Sequence, residues 1–357
     1  MAGTITNTPV GTASAGIQWQ GQVNGAGDER ALYLKTFRGE IYQAFTNSLI
    51  FKETVMGAEI RNAKTHQFIH TGRMTSSYHT PGTSLLDKAE KLKVAETTVT
   101  VDDLLTSQAF LYNLDEILAH YSTRAPIARQ IGQALAERYD RIVGRVLGRA
   151  STLSAAVTGE PGGFRVALGD NNEYNAQALV DAFFESAARL DEISAPKEGR
   201  FAVLSPRQYY TLISQVDTNI LNRDYGNNQG NLNSGAGLYE IAGIKIRQSN
   251  NVPFLGKFGS PTGETIVNGS LAAGVTGPSF GERNNYGQAA DFTNMCGLVY
   301  HREAVGCVTA IGPSVETTGN DTKVIYQGDL IVGKLAMGCA PVRVSVAGSF
   351  DNRTTIT

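Results

Sequence analysis

EIRNAKTHQFIHTGRMTSSYHTPGTSLLDKAEKLKVAETTVTV, residues 59–101, is the stretch whose reading decides the fold. Its flanks alternate polar residues with β-branched and aromatic ones. Its middle, YHTPGTSLLDK (78–88), carries turn chemistry at Pro81-Gly82. The pattern predicts a long two-stranded arm. Strands of about 15 residues at roughly 3.3 Å per residue reach about 50 Å, wider than most domains of this size. Both faces of the arm read as polar, so its pairing register is weakly specified from within. Such an arm is too long to be buried by its own domain, and the chain is expected to finish folding on its neighbours. Arg61, His66, His70, Arg73, Pro81, Gly82, Asp87 and Lys88 are the arm residues expected to meet them.

Downstream, Asn113 can cap a helix from Leu114 to about Thr123, and Pro126 suits the first turn of a helix running to Ala150. That helix places Ile127, Ile131, Leu135, Ile142 and Val146 on one stripe. Beside it run Arg138, Arg141, Arg145 and Arg149, within about 80° on a wheel of 3.6 residues per turn. Two roles compete. The arginine stems can cover apolar surface while their heads pair with carboxylates of the same or a neighbouring subunit. Alternatively the stripe faces nucleic acid and binds phosphates without sequence preference. The first is preferred, because that face lacks aromatic residues on which bases would stack.

The remaining chain divides by composition. Residues 1–28, rich in Gly, Thr, Ala, Asn and Gln, read as a flexible tail. ALYLKTFRGEIYQAF (31–45) spaces Leu34, Phe37, Ile41 and Phe45 as a short amphipathic helix. Residues 151–172 read as a hairpin turning at Pro161-Gly162-Gly163. Asn175 caps a helix through about Glu192, FAVLS (201–205) is a buried-type strand, and Pro206 opens a helix through about Val216. Residues 225–287 hold 13 of the 39 glycines, which marks mostly loop around the strand IAGIKIRQS (241–249). From Met295 onward, β-branched residues predict strands.

Little here advertises chemistry. The 357-residue chain carries a formal net charge of −2, which argues against a dedicated, strongly basic nucleic-acid binder. No apolar run reaches the length of a membrane span, and no secretory signal is read at the N-terminus. Cys296, Cys307 and Cys339 form no close pair, which fits free thiols in a reducing compartment. His66 and His70 on a strand would stand about 13 Å apart, too far to share an ion, so they read as solvated arm residues. Cys296, His301 and Cys307 match no compact zinc spacing and read as packed residues. Asp102-Asp103 reads as a turn or cap. No nucleophile elbow, phosphate loop or Rossmann signature is present, and no catalytic residue, cofactor or metal is expected.

The order of parts resembles a known family. LYLKTFRGEIYQAF (32–45), the Pro81-Gly82 turn with Asp87-Lys88, VDDLLTSQAFLYNLDEILAHY (101–121), HREAVG (301–306) and KLAMG (334–338) are similar to stretches of major capsid proteins of T-seven-like podoviruses, including cyanophages. The resemblance implies an α+β, Hong Kong 97-type capsid fold. It would comprise an N-terminal arm (1–58), an extended E-loop (59–101), a P-domain (102–174 and 305–357) with a spine helix, and an A-domain (175–304). It also implies hexamers and pentamers in an icosahedral shell around double-stranded DNA. The implied partners are a separate scaffolding protein, a portal protein, decoration proteins as further candidates, and non-specific contact with packaged DNA. The implied place is the virion, after assembly in the host cytoplasm. An encapsulin-like compartment is the alternative within this fold, and an α/β enzyme built on 175–304 the alternative outside it.

Overall fold

In a computed structural model, residues 49–86, 89–112, 124–215, 240–255, 286, 292–317 and 327–355 are described. The expected helices over 31–45 and 114–123, the residues Asp87 and Lys88, and most of the glycine-rich loop lie outside them. The described residues fall into two compact units. The larger is drawn from Asn47–Leu104, Ala136–Gly312 and Ala336–Thr357, the smaller from Leu105–Leu135 and Pro313–Leu335 among others.

The larger unit is organised by a six-stranded mixed sheet. Its strands are β5 (Phe164–Ala167), β6 (Arg200–Leu204), β7 (Glu240–Ile241), β8 (Ile244–Gln248), β9 (Met295–His301) and β12 (Ala347–Asp351), in the order β5-β12-β9-β6-β8-β7. Every residue of β9 and β12 is buried. β9, MCGLVYH, is mostly apolar as a strand covered on both faces must be, whereas β12, AGSFD, buries Ser349 and Asp351 by bonding them to Ser151 and Arg353. Helix α2 (Ala176–Glu192) supplies one cover: Phe183 meets Phe350 edge-on at 5.2 Å between ring centroids. The side chain of Asn175 accepts from the Gln177 N–H and caps α2 as its sequence predicts. Helix α3 (Pro206–Gln215) begins at the proline.

Helix α1 (Arg124–Ala150) is the longest described element, about 40 Å at 1.5 Å per residue. It starts two residues before the expected Pro126. Its later half packs closely because Gly144 and Gly148 leave room: a Cβ on Gly148 would stand 2.8 Å from Met295 Sδ, and one on Gly144 3.1 Å from the Asn251 carbonyl.

The 151–172 stretch is not a hairpin. Its one strand, β5, pairs in parallel with β12, Phe164 opposite Gly348, while residues 151–163 form turns closed by the Gly163 N–H on the Leu153 carbonyl at 2.8 Å. The Pro-Gly-Gly signal is real turn chemistry, but the partner strand is distant in sequence.

β1 (Met56–Glu59) lies parallel to the start of β10 (Val305–Thr317). In the smaller unit β4 (Leu105–Tyr112) lies antiparallel to the first part of β11 (Gly328–Pro341). The arm consists of β2 (Thr65–Thr71) and β3 (Val94–Thr100), antiparallel, with His66 opposite Val99 and His70 opposite Ala95. Each arm strand is seven residues long, about half the expected length: the ladder ends one bond past Thr71 on the tip side, and on the root side the chain bends at 60–64.

Candidate assembly surfaces

The arm has an anchored root and an exposed tip. At the root, alternation is cleaner than the sequence suggests: residues 66, 68 and 70 face inward with 95, 97 and 99. Phe68 and Val99 belong to a buried cluster with Ile60, Val308 and Val342. Gly306 lies directly beneath Phe68, where any Cβ would come within 2.7 Å of the ring. The arm is therefore not polar on both faces, and Phe68 and Val99 fix its register from within, since a slip by one residue would turn them to solvent.

His66 and His70 are half-buried at the root, whereas His79 at the tip is exposed. His66 meets Phe68 edge-on at 4.8 Å between centroids, and His70 Nε2 lies 2.9 Å from the Glu160 carboxylate. Arg61 is exposed beside Asn62, whose φ is 60°. Arg73, also exposed, donates to the Ile193 carbonyl.

From Met74 onward every arm residue described up to Lys91 is exposed. Pro81 and Gly82 occupy the centre of a Thr80–Thr83 turn, with the Thr83 N–H 3.2 Å from the Thr80 carbonyl and Gly82 at φ +90°. That is the type II arrangement, in which proline presets one position and glycine tolerates the next. Across the tip Glu90 accepts from the hydroxyl and amide of Thr75, bonds that hold its carboxyl below the usual range.

The arginine stripe does not present one face. Arg145 is fully buried, whereas Arg138, Arg141 and Arg149 are half-buried. Arg141 donates to Asn251 Oδ1 at 3.4 Å and pairs with Glu137 at 3.6 Å. A continuous phosphate-facing patch through Arg145 is thus excluded in the folded subunit. Next to it Asp140, 1% exposed, accepts from the backbone N–H groups of Ile50 and Phe51 at 3.1 and 3.4 Å. Burial pushes its carboxyl up to about 6, against the lowering effect of those bonds. Sequence reasoning missed this clasp. The available signal was the pair Gly144 and Gly148, since two glycines one turn apart weaken a helix unless close packing requires them.

Asp102 follows β3, just before a bend at Asp103, and accepts from the Tyr286 hydroxyl. His301 is buried: its Nδ1 accepts from the Glu303 N–H at 3.3 Å, and its Nε2 lies 2.9 Å from the Glu198 carbonyl. That pattern suits the neutral ring, and burial lowers its pKa. Cys296, Cys307 and Cys339 are buried, and desolvation raises the thiol pKa of Cys296 and Cys339. Among the described residues, no three metal-ligating side chains converge, and no helix is long and apolar enough to cross a membrane.

A family model described as Gp10A-like major capsid protein matches residues 67–350. The chain belongs to this major capsid protein family. The major capsid protein of Escherichia phage T7 is 27% identical over 341 residues, spanning 91% of this chain and 92% of that protein. The major capsid protein of Enterobacteria phage T3 is 27% identical over 350 residues, spanning 92% and 94%. Among solved structures, the capsid of the cyanophage P-SCSP1u is 31% identical with a TM-score of 0.71, covering 93% of this chain and 96% of that one. The mature capsid of bacteriophage PhiM1 shares the fold at 16% identity and a TM-score of 0.65, covering 90% of this chain and 92% of that one. The molecule is a T7-like podovirus major capsid protein with the α+β Hong Kong 97-type fold, a structural component of the virion. For a capsid protein, the informative surfaces are those left uncovered on the single subunit, and at the tip of the arm every described residue from Met74 to Lys91 is exposed.

Proposed function

We propose that this capsid protein self-assembles into hexamers and pentamers of an icosahedral shell around double-stranded DNA, and that its 59–101 arm is the strap laid on an adjacent subunit. One observation carries the strap. Seven of the eleven exposed large apolar side chains among the described residues fall between Ile69 and Val94, including Tyr78 at 99% and Leu86 at 85% exposure. Apolar side chains gathered on a thin projection call for a covering partner, and repetition under closed symmetry lets modest contacts add up to a stable shell.

In this reading 1–58 is the N-terminal arm, 102–174 with 305–357 the P-domain and 175–304 the A-domain near the capsomer centre. A scaffolding protein guides assembly in the host cytoplasm, and portal and decoration proteins join the shell. Packaged DNA makes only non-specific contacts. The work is association and involves no catalysed reaction. Arg141 and Arg145 serve the subunit's own fold.

The test is to express the full chain with a scaffolding protein of a T7-like phage and image the product by negative stain. Uniform polyhedral particles are expected from the full chain, and soluble capsomers or smaller species from a chain lacking residues 62–98. Normal shells from the deleted chain would remove the strap.

A further inference from the structure

The foot of the arm is braced against the body of its own subunit in three places. His70 and Glu160 lie 2.9 Å apart with side chains only 17% and 12% exposed. Gly72 abuts Val157, whose Cγ1 would stand 2.5 Å from any Cβ at position 72. Arg73 donates to the carbonyl of Ile193, the residue that ends α2. The receiving turn is shaped for this contact. The Glu160 N–H bonds the Val157 carbonyl at 3.2 Å, and Gly159 between them has φ +93°, a left-handed conformation that a side chain resists. The turn thereby places Val157 under Gly72 and the Glu160 carboxylate against His70.

The ladder also ends here, with the Gly72 N–H on the Lys93 carbonyl at 2.8 Å. Past this point the tip holds Thr75 bonded to Glu90 and the Thr80–Thr83 turn, and its described residues up to Lys91 are all exposed. A tip of about ten residues per side reaches roughly 30 Å, so a swing of about 10° at the foot moves its end by about 5 Å. An error of that size breaks side-chain complementarity at any interface. A foot that swings freely would also lose conformational entropy on every docking event.

We propose that His70, Gly72, Arg73 and Glu160 are positioning residues that set the angle at which the arm leaves the subunit, presenting its exposed tip in one direction to a second copy of this chain. The proposal rests on the strap reading above. The brace is made by the subunit alone and so precedes assembly. Its residues act through the tip and need not touch the neighbour.

The three native thiols are buried, so paired spin labels can be placed on the full-length, unassembled chain through Tyr78→Cys at the tip and Ala188→Cys on the exposed face of α2. The expected dipolar distance distribution is a single narrow peak. Gly72→Val, and separately His70→Ala with Glu160→Ala, should broaden it or shift it by several Å. The same variants should slow scaffold-assisted assembly about tenfold while leaving thermal unfolding nearly unchanged. Glu160→Gln keeps a hydrogen-bond partner for the imidazole and should restore both the narrow peak and the assembly rate. A narrow, unshifted peak with normal assembly in Gly72→Val and the double variant overturns the proposal. So does slowed assembly with an unchanged peak, because the residues would then be contacts and not positioners. Deleting 62–98 separates the two ideas: shells from that chain defeat the strap itself, whereas its failure to assemble beside normal brace variants defeats the brace alone.

Discussion

Asp140 and Arg145 are charged residues held inside the subunit, although the arginine stripe also admits a reading in which it faces nucleic acid. Asp140 sits 1% exposed with two backbone N–H groups on its carboxylate. Its carboxyl titrates near 6 in the fold against an ordinary 3.8. Because the folded form binds the proton more tightly, this group favours folding most below pH 4. That advantage fades as pH rises through about 6 and is constant above it. The full effect is up to roughly 3 kcal/mol. Urea unfolding of unassembled Asp140→Asn should therefore lack the decline between pH 4 and 6 that the wild type shows. Identical pH slopes would refute the assignment. Arg141→Glu with Arg145→Glu should cost about 3 kcal/mol or more, since it places a carboxylate in a fully buried site. Normal stability with loss of genome retention alone would return the stripe to a DNA-facing role.

At the level of elements, the root of the arm is where local and long-range order meet. Phe68→Ala should destabilise the subunit by about 3 kcal/mol, by the lost burial and the cavity left beside Val99 and Val308. A change below about 1 kcal/mol in a denaturant titration would contradict the root packing. The same elements show what could be read in advance. The long helix, the Asn175 cap, the Pro206 start and the buried strand FAVL were legible because each is signalled by adjacent residues. The β5 pairing was not, since residues 164–167 find their partner at 348–351 and no local signal names it. The arm strands are shorter than their alternation suggests, because the chain bends at 60–64, with Asn62 at φ 60°, and Glu59 belongs to β1 on β10. Of the candidate site residues, the Pro81-Gly82 turn was visible from its chemistry. The partnership of His70 with Glu160 spans 90 positions and was hidden.

For the whole molecule, the division between anchored root and exposed tip is what the proposed strap role rests on. The subunit closes its six-stranded sheet and the spine helix's later half by itself, yet leaves the tip of a long projection without a core. In the proposed shell a neighbouring subunit supplies that missing surface, so the tip should become protected as neighbours arrive. Hydrogen exchange of the tip amides, residues 74–91, compares the two states most directly. In the unassembled subunit these amides should exchange within seconds, and in scaffold-assembled shells their exchange should slow by roughly a hundredfold or more, while β9 and β12 stay protected in both. Equal, fast exchange of the tip in shells and free subunits would contradict the claim that the arm completes its folding on a neighbour.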